Sequence, residues 1–119
     1  MHALMIAADA MRVPPGDALI KNLSGGEKRR LSVATVLATA PDVIILDLNL
    51  PGIDGYTVLA QLRSRSATRT IPVVVLTAKG DEDNEVRVFE LGADDFITKP
   101  FRAKALSARL EAVLGRHRA

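Results

Sequence analysis

The sequence predicts an α/β fold built on a parallel sheet. Residues 43–46 (VIIL) and 73–76 (VVVL) are apolar at every position, which is typical of parallel strands that are buried on both faces. Apolar residues at helical spacing follow each run, so the order from residue 42 onward is β-α-β-α-β-α. This order favours a parallel sheet with right-handed crossovers and helices on both faces.

One further strand and three helices complete the predicted βα units. The strand, weaker than the other two, is expected at residues 95–98 (DFIT). Each predicted helix has apolar residues in a helical pattern. These residues are Tyr56, Leu59 and Leu62 in the first helix, Val86, Phe89 and Leu91 in the second, and Leu106, Leu110, Val113 and Leu114 in the third. Acidic residues 81–83 suit the N-terminus of the second helix.

The first third of the chain, residues 1–41, differs from the rest and is predicted to be irregular and mainly helical. The sequence VPPGD at residues 13–17 interrupts any regular element. Residues 27–39 have the spacing of a helix. Residues 2–8 are ambiguous, because their alanines favour a helix and their central Leu-Met-Ile allows a strand.

Composition limits the class of protein. The chain has 119 residues, of which 48% are hydrophobic, and this suits a single domain, 1–119, with its own core. A net charge of +2 is too small to indicate a nucleic-acid partner. The apolar start lacks the basic region of a signal peptide, and no apolar run approaches the ~20 residues of a membrane span. We expect a soluble cytoplasmic protein with no membrane partner.

Three polar residues fall at the carboxyl ends of the predicted strands, where ligands bind in parallel sheets. Asp47 follows VIIL, Thr77 follows VVVL, and Lys99 follows DFIT. The carboxylate can take a phosphoryl group as an acyl phosphate, the hydroxyl can bond to a phosphoryl oxygen, and the ammonium can pair with its charge. One such residue is usually a solvated rim residue. Three on consecutive strands, with Pro100 after the lysine, indicate a phosphate-handling site.

These segments resemble a known family. PDVIILDLNLPGIDGYTVLAQLR, IPVVVLTAKGDEDNEVRVFELGADDFITKPF and the closing helix, about residues 41–116, look like the receiver domain of bacterial two-component response regulators. The resemblance implies a flavodoxin-like fold and a phosphoaspartate signalling switch, not a turnover enzyme. It implies a histidine kinase or a phosphotransfer protein as the partner. Asp47 would be the phosphoacceptor, Thr77 the switch hydroxyl and Lys99 the phosphate-pairing lysine.

The resemblance also assigns roles to residues around these three. Phe96 matches the aromatic switch position, three before the lysine. Asn49 and Lys79 match positions that tune dephosphorylation. Pro100 would follow a cis peptide bond.

A Mg²⁺ ion is the cofactor that the resemblance implies. Asp47 and the backbone carbonyl of Asn49 would be two of its ligands. A receiver opens with a strand that ends in two acidic residues, and here LMIAADA offers Asp9 alone, after Ala8. Because one carboxylate is missing, we expect metal binding to be impaired.

A second resemblance covers the front of the chain. LSGGE at residues 23–27 matches the signature motif of ABC ATPases, the ABC-F class above all, and VIILD at residues 43–47 matches their Walker B strand. The sequence has no G-x-x-x-x-G-K-[ST] loop, and Leu48 stands where the catalytic glutamate should follow Walker B. We therefore expect no ATP hydrolysis.

The two resemblances meet at residues 41–47, so the chain looks like a chimera of an ABC-like front (1–41) and the last three βα units of a receiver (42–116). A receiver-like phosphoacceptor module is one interpretation. The alternatives are a constructed or recombined chimera with no physiological activity and a nucleotide-binding ABC fragment.

If residues 2–8 form a helix, the strand at 43–46 has an open edge, and we expect a homodimer or a domain-swapped assembly.

Overall fold

The structure is a computed structural model that describes residues 2–6, 19–23, 41–48, 55–78 and 82–117. It contains five strands and three helices in these ranges. The strands are β1 (His2–Ile6), β2 (Leu19–Leu23), β3 (Val43–Asp47), β4 (Val73–Ala78) and β5 (Asp95–Lys99). The helices are α1 (Gly55–Ser64), α2 (Glu82–Glu90) and α3 (Ala103–His117).

The five described strands form one sheet in the order β2-β1-β3-β4-β5, and every neighbouring pair is parallel. β3 is the central strand, and each of its five residues is buried. This agrees with the continuous apolar runs that predicted parallel strands covered on both faces. The predicted α/β fold of the flavodoxin-like receiver type is confirmed.

The front of the chain differs from the prediction of a mainly helical third. Its two described segments, β1 and β2, are both strands, and β2 was not predicted. β1 resolves the ambiguity of residues 2–6 because it pairs with β2 on one side and with β3 on the other. Two ladders of backbone hydrogen bonds outweigh the weak preference of alanine for a helix. The helix predicted at 27–39 lies outside the described residues.

β1 also removes the condition on which the predicted swapped assembly depended. The register from Ala3↔Val43 to Ile6↔Leu46 places β1 along the whole apolar part of β3. The edge that would have invited another chain is therefore paired within this chain.

Two buried clusters lie on opposite faces of the sheet. One joins alternate strand residues to α1 and α2, and the other joins the remaining strand residues to α3. The helix side chains in the first cluster are Val58, Leu59, Leu62 and Val88, and those in the second are Leu106, Leu110, Val113 and Leu114. Burying each such side chain contributes about 1.5–3 kcal/mol. Within the described ranges, no helix has both the length and the apolar character needed to cross a membrane.

Arg63, in the last turn of α1, ties that helix to the loops before β4 and β5. Its nitrogens donate hydrogen bonds of 2.7–3.0 Å to the carbonyls of Arg69, Ile71 and Gly92 and to the carboxylate of Asp94. The same Asp94 oxygen accepts a bond of 2.8 Å from the backbone N–H of Val73, at the start of β4. The network fixes the end of the sheet at which β4 and β5 begin, opposite to the carboxyl ends of the strands.

Candidate functional site

The three polar residues predicted to lie together are on three adjacent strands at one edge of the sheet. Asp47 is the last residue of β3 and is level with Leu76 of β4. Thr77 follows Leu76, and Lys99 ends β5 level with Ala78. Because all strands run in parallel, their carboxyl ends meet at this edge.

The Lys99 ammonium pairs with the Asp47 carboxylate. Its Nζ lies 3.0 Å from Oδ1 and 3.0 Å from Oδ2 of Asp47. Asp47 is only 4% exposed, whereas Lys99 is half-buried and reaches solvent. A carboxylate in such a place is costly unless a charged group compensates it. The pair therefore places both Asp47 side-chain oxygens within hydrogen-bond distance of the Lys99 ammonium.

Thr77 adds a hydroxyl at the same edge. It is 1% exposed, and within the part of the chain that the structure describes its Oγ1 has no hydrogen-bond partner. Leaving a buried hydroxyl unpaired costs about 1–3 kcal/mol. An oxygen atom brought to this edge would find a donor in Thr77 and a cation in Lys99.

One peptide bond beside the site has the geometry that the resemblance implies, and a second predicted residue, Phe96, lies in a ring contact. The Lys99–Pro100 peptide bond is cis. The half-buried ring of Phe96 on β5 meets the ring of Phe89 on α2 edge to face, with centroids 5.5 Å apart. The switch role of Phe96 stays a prediction.

Three predicted site residues, Asp9, Asn49 and Lys79, lie outside the described residues. Among the residues that are described, there is no group of three or more His, Cys, Asp or Glu side chains that could hold a metal ion. The described part of the site thus supplies one acidic side chain, Asp47. The register Ile6↔Leu46 brings the end of β1 to the same edge as the end of β3, and Asp9 comes three residues after Ile6.

Sequence reasoning missed a contact between α1 and α2. The guanidinium of Arg87 lies over the ring of Tyr56, with 3.9 Å from its carbon to the ring centroid. Tyr56 was predicted only as an apolar member of its helix. No periodic signal connects the two residues, because the contact depends on how the two helices pack on the sheet.

Curated relatives share the region that contains the site. The phosphate regulon transcriptional regulatory protein PhoB of Pseudomonas aeruginosa is 46% identical over 90 residues, which are 76% of this chain and 39% of that protein. PhoB of Escherichia coli is 54% identical over 76 residues, 64% of this chain and 33% of that protein. The chain therefore spans between one third and two fifths of the length of these relatives.

A solved structure has a similar fold. A protein described as a response regulator from Chloroflexus aurantiacus superposes with a TM-score of 0.76 at 31% identity. The match covers 96% of this chain and 98% of that chain. It extends over the front of the chain as well as the three βα units that carried the receiver resemblance.

The sequence profile of the response regulator receiver domain matches residues 25–111. The match begins inside LSGGE, so it includes most of the stretch that resembles an ABC ATPase. Neither the ABC ATPase resemblance nor a chimeric origin receives support from these comparisons. Three findings agree: the sheet is parallel, its carboxyl end carries Asp47, Thr77 and Lys99, and the receiver profile matches. The chain belongs to the response regulator receiver domain family.

Proposed function

We propose that this domain is a phosphoaspartate switch in which Asp47 accepts the phosphoryl group. The observation that carries the proposal is the position of the Lys99 ammonium, 3.0 Å from both oxygens of a nearly buried carboxylate. The hydroxyl of Thr77, which has no hydrogen-bond partner among the described residues, supports it. A structural ion pair would explain the first feature but not the second.

The proposed reaction is an in-line phosphoryl transfer to a carboxylate oxygen. One Asp47 oxygen forms a bond to phosphorus while the bond from phosphorus to the donor's leaving atom breaks, and the leaving group keeps the electron pair. With acetyl phosphate as donor, acetate leaves and an acyl phosphate forms on Asp47. Lys99 pairs with the phosphoryl charge and Thr77 donates to a phosphoryl oxygen. These residues act by positioning and by electrostatic stabilisation.

The residues fit Mg²⁺ as the cofactor. Magnesium prefers oxygen ligands and is commonly bound through one or two carboxylates together with phosphate oxygens and water. Asp47 supplies one carboxylate, and we propose that Asp9 and the backbone carbonyl of Asn49 complete the protein's share. The ion would neutralise charge on the phosphoryl oxygens. The expectation of impaired metal binding rests on the single acidic residue at Asp9 and has no other support.

We infer that the phosphoryl donor in the cell is a histidine kinase or a phosphotransfer protein, as for the family. The output is a separate question, because the matched relatives are longer proteins. Those relatives are named as transcriptional regulators, so the expectation of no nucleic-acid partner gains no support from them.

The proposal is tested by intact mass after incubation with acetyl phosphate and Mg²⁺. We expect the mass of one phosphoryl group to be added to the wild-type chain and to Asp42→Asn, which alters an exposed carboxylate at the opposite end of β3. Asp47→Asn should show no addition, and chelation of Mg²⁺ should suppress the wild-type signal. An Asp47→Asn chain that is labelled as fast as wild type would refute the proposal.

A further inference from the structure

Helix α2 is held by few side chains. Of its side chains that the structure describes, residues 85–90, only Val88 is buried. Val86 is 60% exposed and Phe89 is 47% exposed. Two ring contacts of the described residues add to this attachment, Arg87 on Tyr56 and Phe89 on Phe96. A helix with so few buried side chains is expected to open locally at a lower free-energy cost than the core of the fold.

The Arg87 contact reaches the chain segment that follows Asp47. Tyr56 is the second residue of α1, and the first, Gly55, lies directly against Leu48. A Cβ on Gly55 would be only 2.8 Å from the Leu48 Cα. Leu48 is the residue next to Asp47. Because packed backbone does not deform smoothly, a shift at Asp47 is passed to Leu48, to the start of α1 and to the ring of Tyr56.

The Phe89 contact reaches the other side of the site. Its partner Phe96 lies on β5, three residues before Lys99. Acyl phosphate formation takes one of the two Asp47 oxygens that Lys99 contacts, so the ammonium must re-pair with the phosphoryl group. Both ring contacts of α2 are therefore connected, through neighbouring residues, to Asp47 or Lys99, whose contacts change when Asp47 carries a phosphoryl group.

We propose that the Arg87–Tyr56 contact is a latch that holds α2 against the start of α1 in the unloaded protein and opens when Asp47 carries a phosphoryl group. This inference rests on the proposed function. A cation–π contact at an exposed site shifts an equilibrium by about two- to fivefold. The latch is weak enough for loading to open it. By linkage, its removal must favour loading by the same factor.

The latch itself is tested in the unloaded protein by amide hydrogen exchange of residues 82–90. We expect Arg87→Gln and Tyr56→Leu each to raise exchange there by about two- to fivefold, and the double variant to add nothing further. Arg65→Gln removes an exposed guanidinium elsewhere, so it should not change this exchange. Effects that multiply in the double variant would mean that the two residues act independently, and there would be no latch.

Its opening is tested with beryllofluoride, a phosphoryl mimic, and Mg²⁺. Tyr56 is the single tyrosine and the chain has no tryptophan, so tyrosine emission reports on this ring alone. We expect emission to change on loading in the wild type but not in Arg87→Gln. The beryllofluoride concentration at half-saturation, read by fluorine NMR, should fall about two- to fivefold in Arg87→Gln and Tyr56→Leu.

The possible failures are distinguishable. Saturable binding with unchanged emission and equal half-saturation in all variants would overturn the latch and leave the proposed function standing. If the wild type binds no beryllofluoride, the proposed function fails and the opening of the latch fails with it. In either case, hydrogen exchange in the unloaded protein tests whether the Arg87–Tyr56 contact holds α2.

Discussion

Two buried threonine hydroxyls differ in what they contribute to the fold. Thr68 Oγ1 donates a hydrogen bond of 2.7 Å to the carbonyl of Leu62, whereas Thr77 Oγ1 has no partner among the described residues. Both residues are almost fully buried. The hydroxyl of Thr68 satisfies a carbonyl near the end of α1. A buried hydroxyl with no partner, as at Thr77 among the described residues, lowers stability. A polar atom kept at a cost to stability is what a ligand-binding edge requires.

Replacing each threonine by valine should therefore change stability in opposite directions. We expect Thr77→Val to raise the free energy of unfolding by about 1 kcal/mol and Thr68→Val to lower it by about 1 kcal/mol. Urea denaturation of both variants measures the difference, and Thr77→Val should also accept less phosphoryl group from acetyl phosphate. A loss of stability in Thr77→Val equal to that in Thr68→Val would mean that the Thr77 hydroxyl is paired in solution.

The site residues could be predicted from sequence because strand ends are visible there. An apolar run locates a buried strand, and the first polar residue after it lies at the rim, which is how Asp47 and Thr77 were found. Contacts between helices carry no such signal. Neither the Arg87–Tyr56 contact nor the close approach of Gly55 to Leu48 follows from spacing, since each depends on the final packing of α1.

The start of α1 shows how one element is positioned beside the site. Gly55 opens the helix, and a Cβ there would meet backbone atoms of Leu48, at 2.8 Å from Cα and 3.1 Å from the carbonyl oxygen. Gly115, near the end of α3, has nothing within 4 Å of such a Cβ. Both glycines lie in the terminal turns of their helices, and they differ in their surroundings.

Alanine substitution separates these two effects. Alanine favours a helix over glycine by about 1 kcal/mol, but forced overlap with backbone costs about 1–3 kcal/mol. We expect Gly55→Ala to lower the melting temperature and Gly115→Ala to leave it unchanged or raise it. Calorimetry of the two variants gives the comparison. If Gly55→Ala were as stable as Gly115→Ala, the contact between α1 and Leu48 would not be tight.

Arg63 links elements through the geometry of its guanidinium. A lysine cannot reproduce four directed bonds from one planar group, so Arg63→Lys should lower the free energy of unfolding by about 1–3 kcal/mol. Arg65→Lys, on an exposed side chain two residues later, should change it by less than about 0.5 kcal/mol. Equal effects in guanidinium denaturation would show that the Arg63 network does not hold the loops before β4 and β5.

For the whole molecule, the sequence predicted the half of the fold with strong periodic signals. β3, β4, β5 and the three helices lie where apolar runs and helical spacing placed them. β2 was missed because lysine and asparagine interrupt LIKNL, and β1 stayed ambiguous because the alanines among residues 2–8 favour a helix. Pairing with neighbouring strands decides such segments, and pairing is not visible in a local stretch of sequence.

The completed sheet also changes the expected assembly. With β1 and β4 paired to β3, this apolar central strand has a neighbour within the chain on both sides. We expect light scattering after size exclusion to give the mass of one chain for the unloaded protein, even at high concentration. A stable dimer that exchanges segments on mixing would restore the domain-swapped interpretation.

The most direct measurement of the central claim is chemical localisation of the phosphoryl group. After reaction with acetyl phosphate and Mg²⁺, hydroxylamine converts an acyl phosphate into a hydroxamate at the residue that carried it, and phosphate leaves. Peptide mass mapping should place the hydroxamate on Asp47 in the wild type, with none in a Lys99→Ala chain labelled for the same short time. A hydroxamate on another carboxylate, or a phosphoryl group that resists hydroxylamine, would contradict the claim that Asp47 is the acceptor.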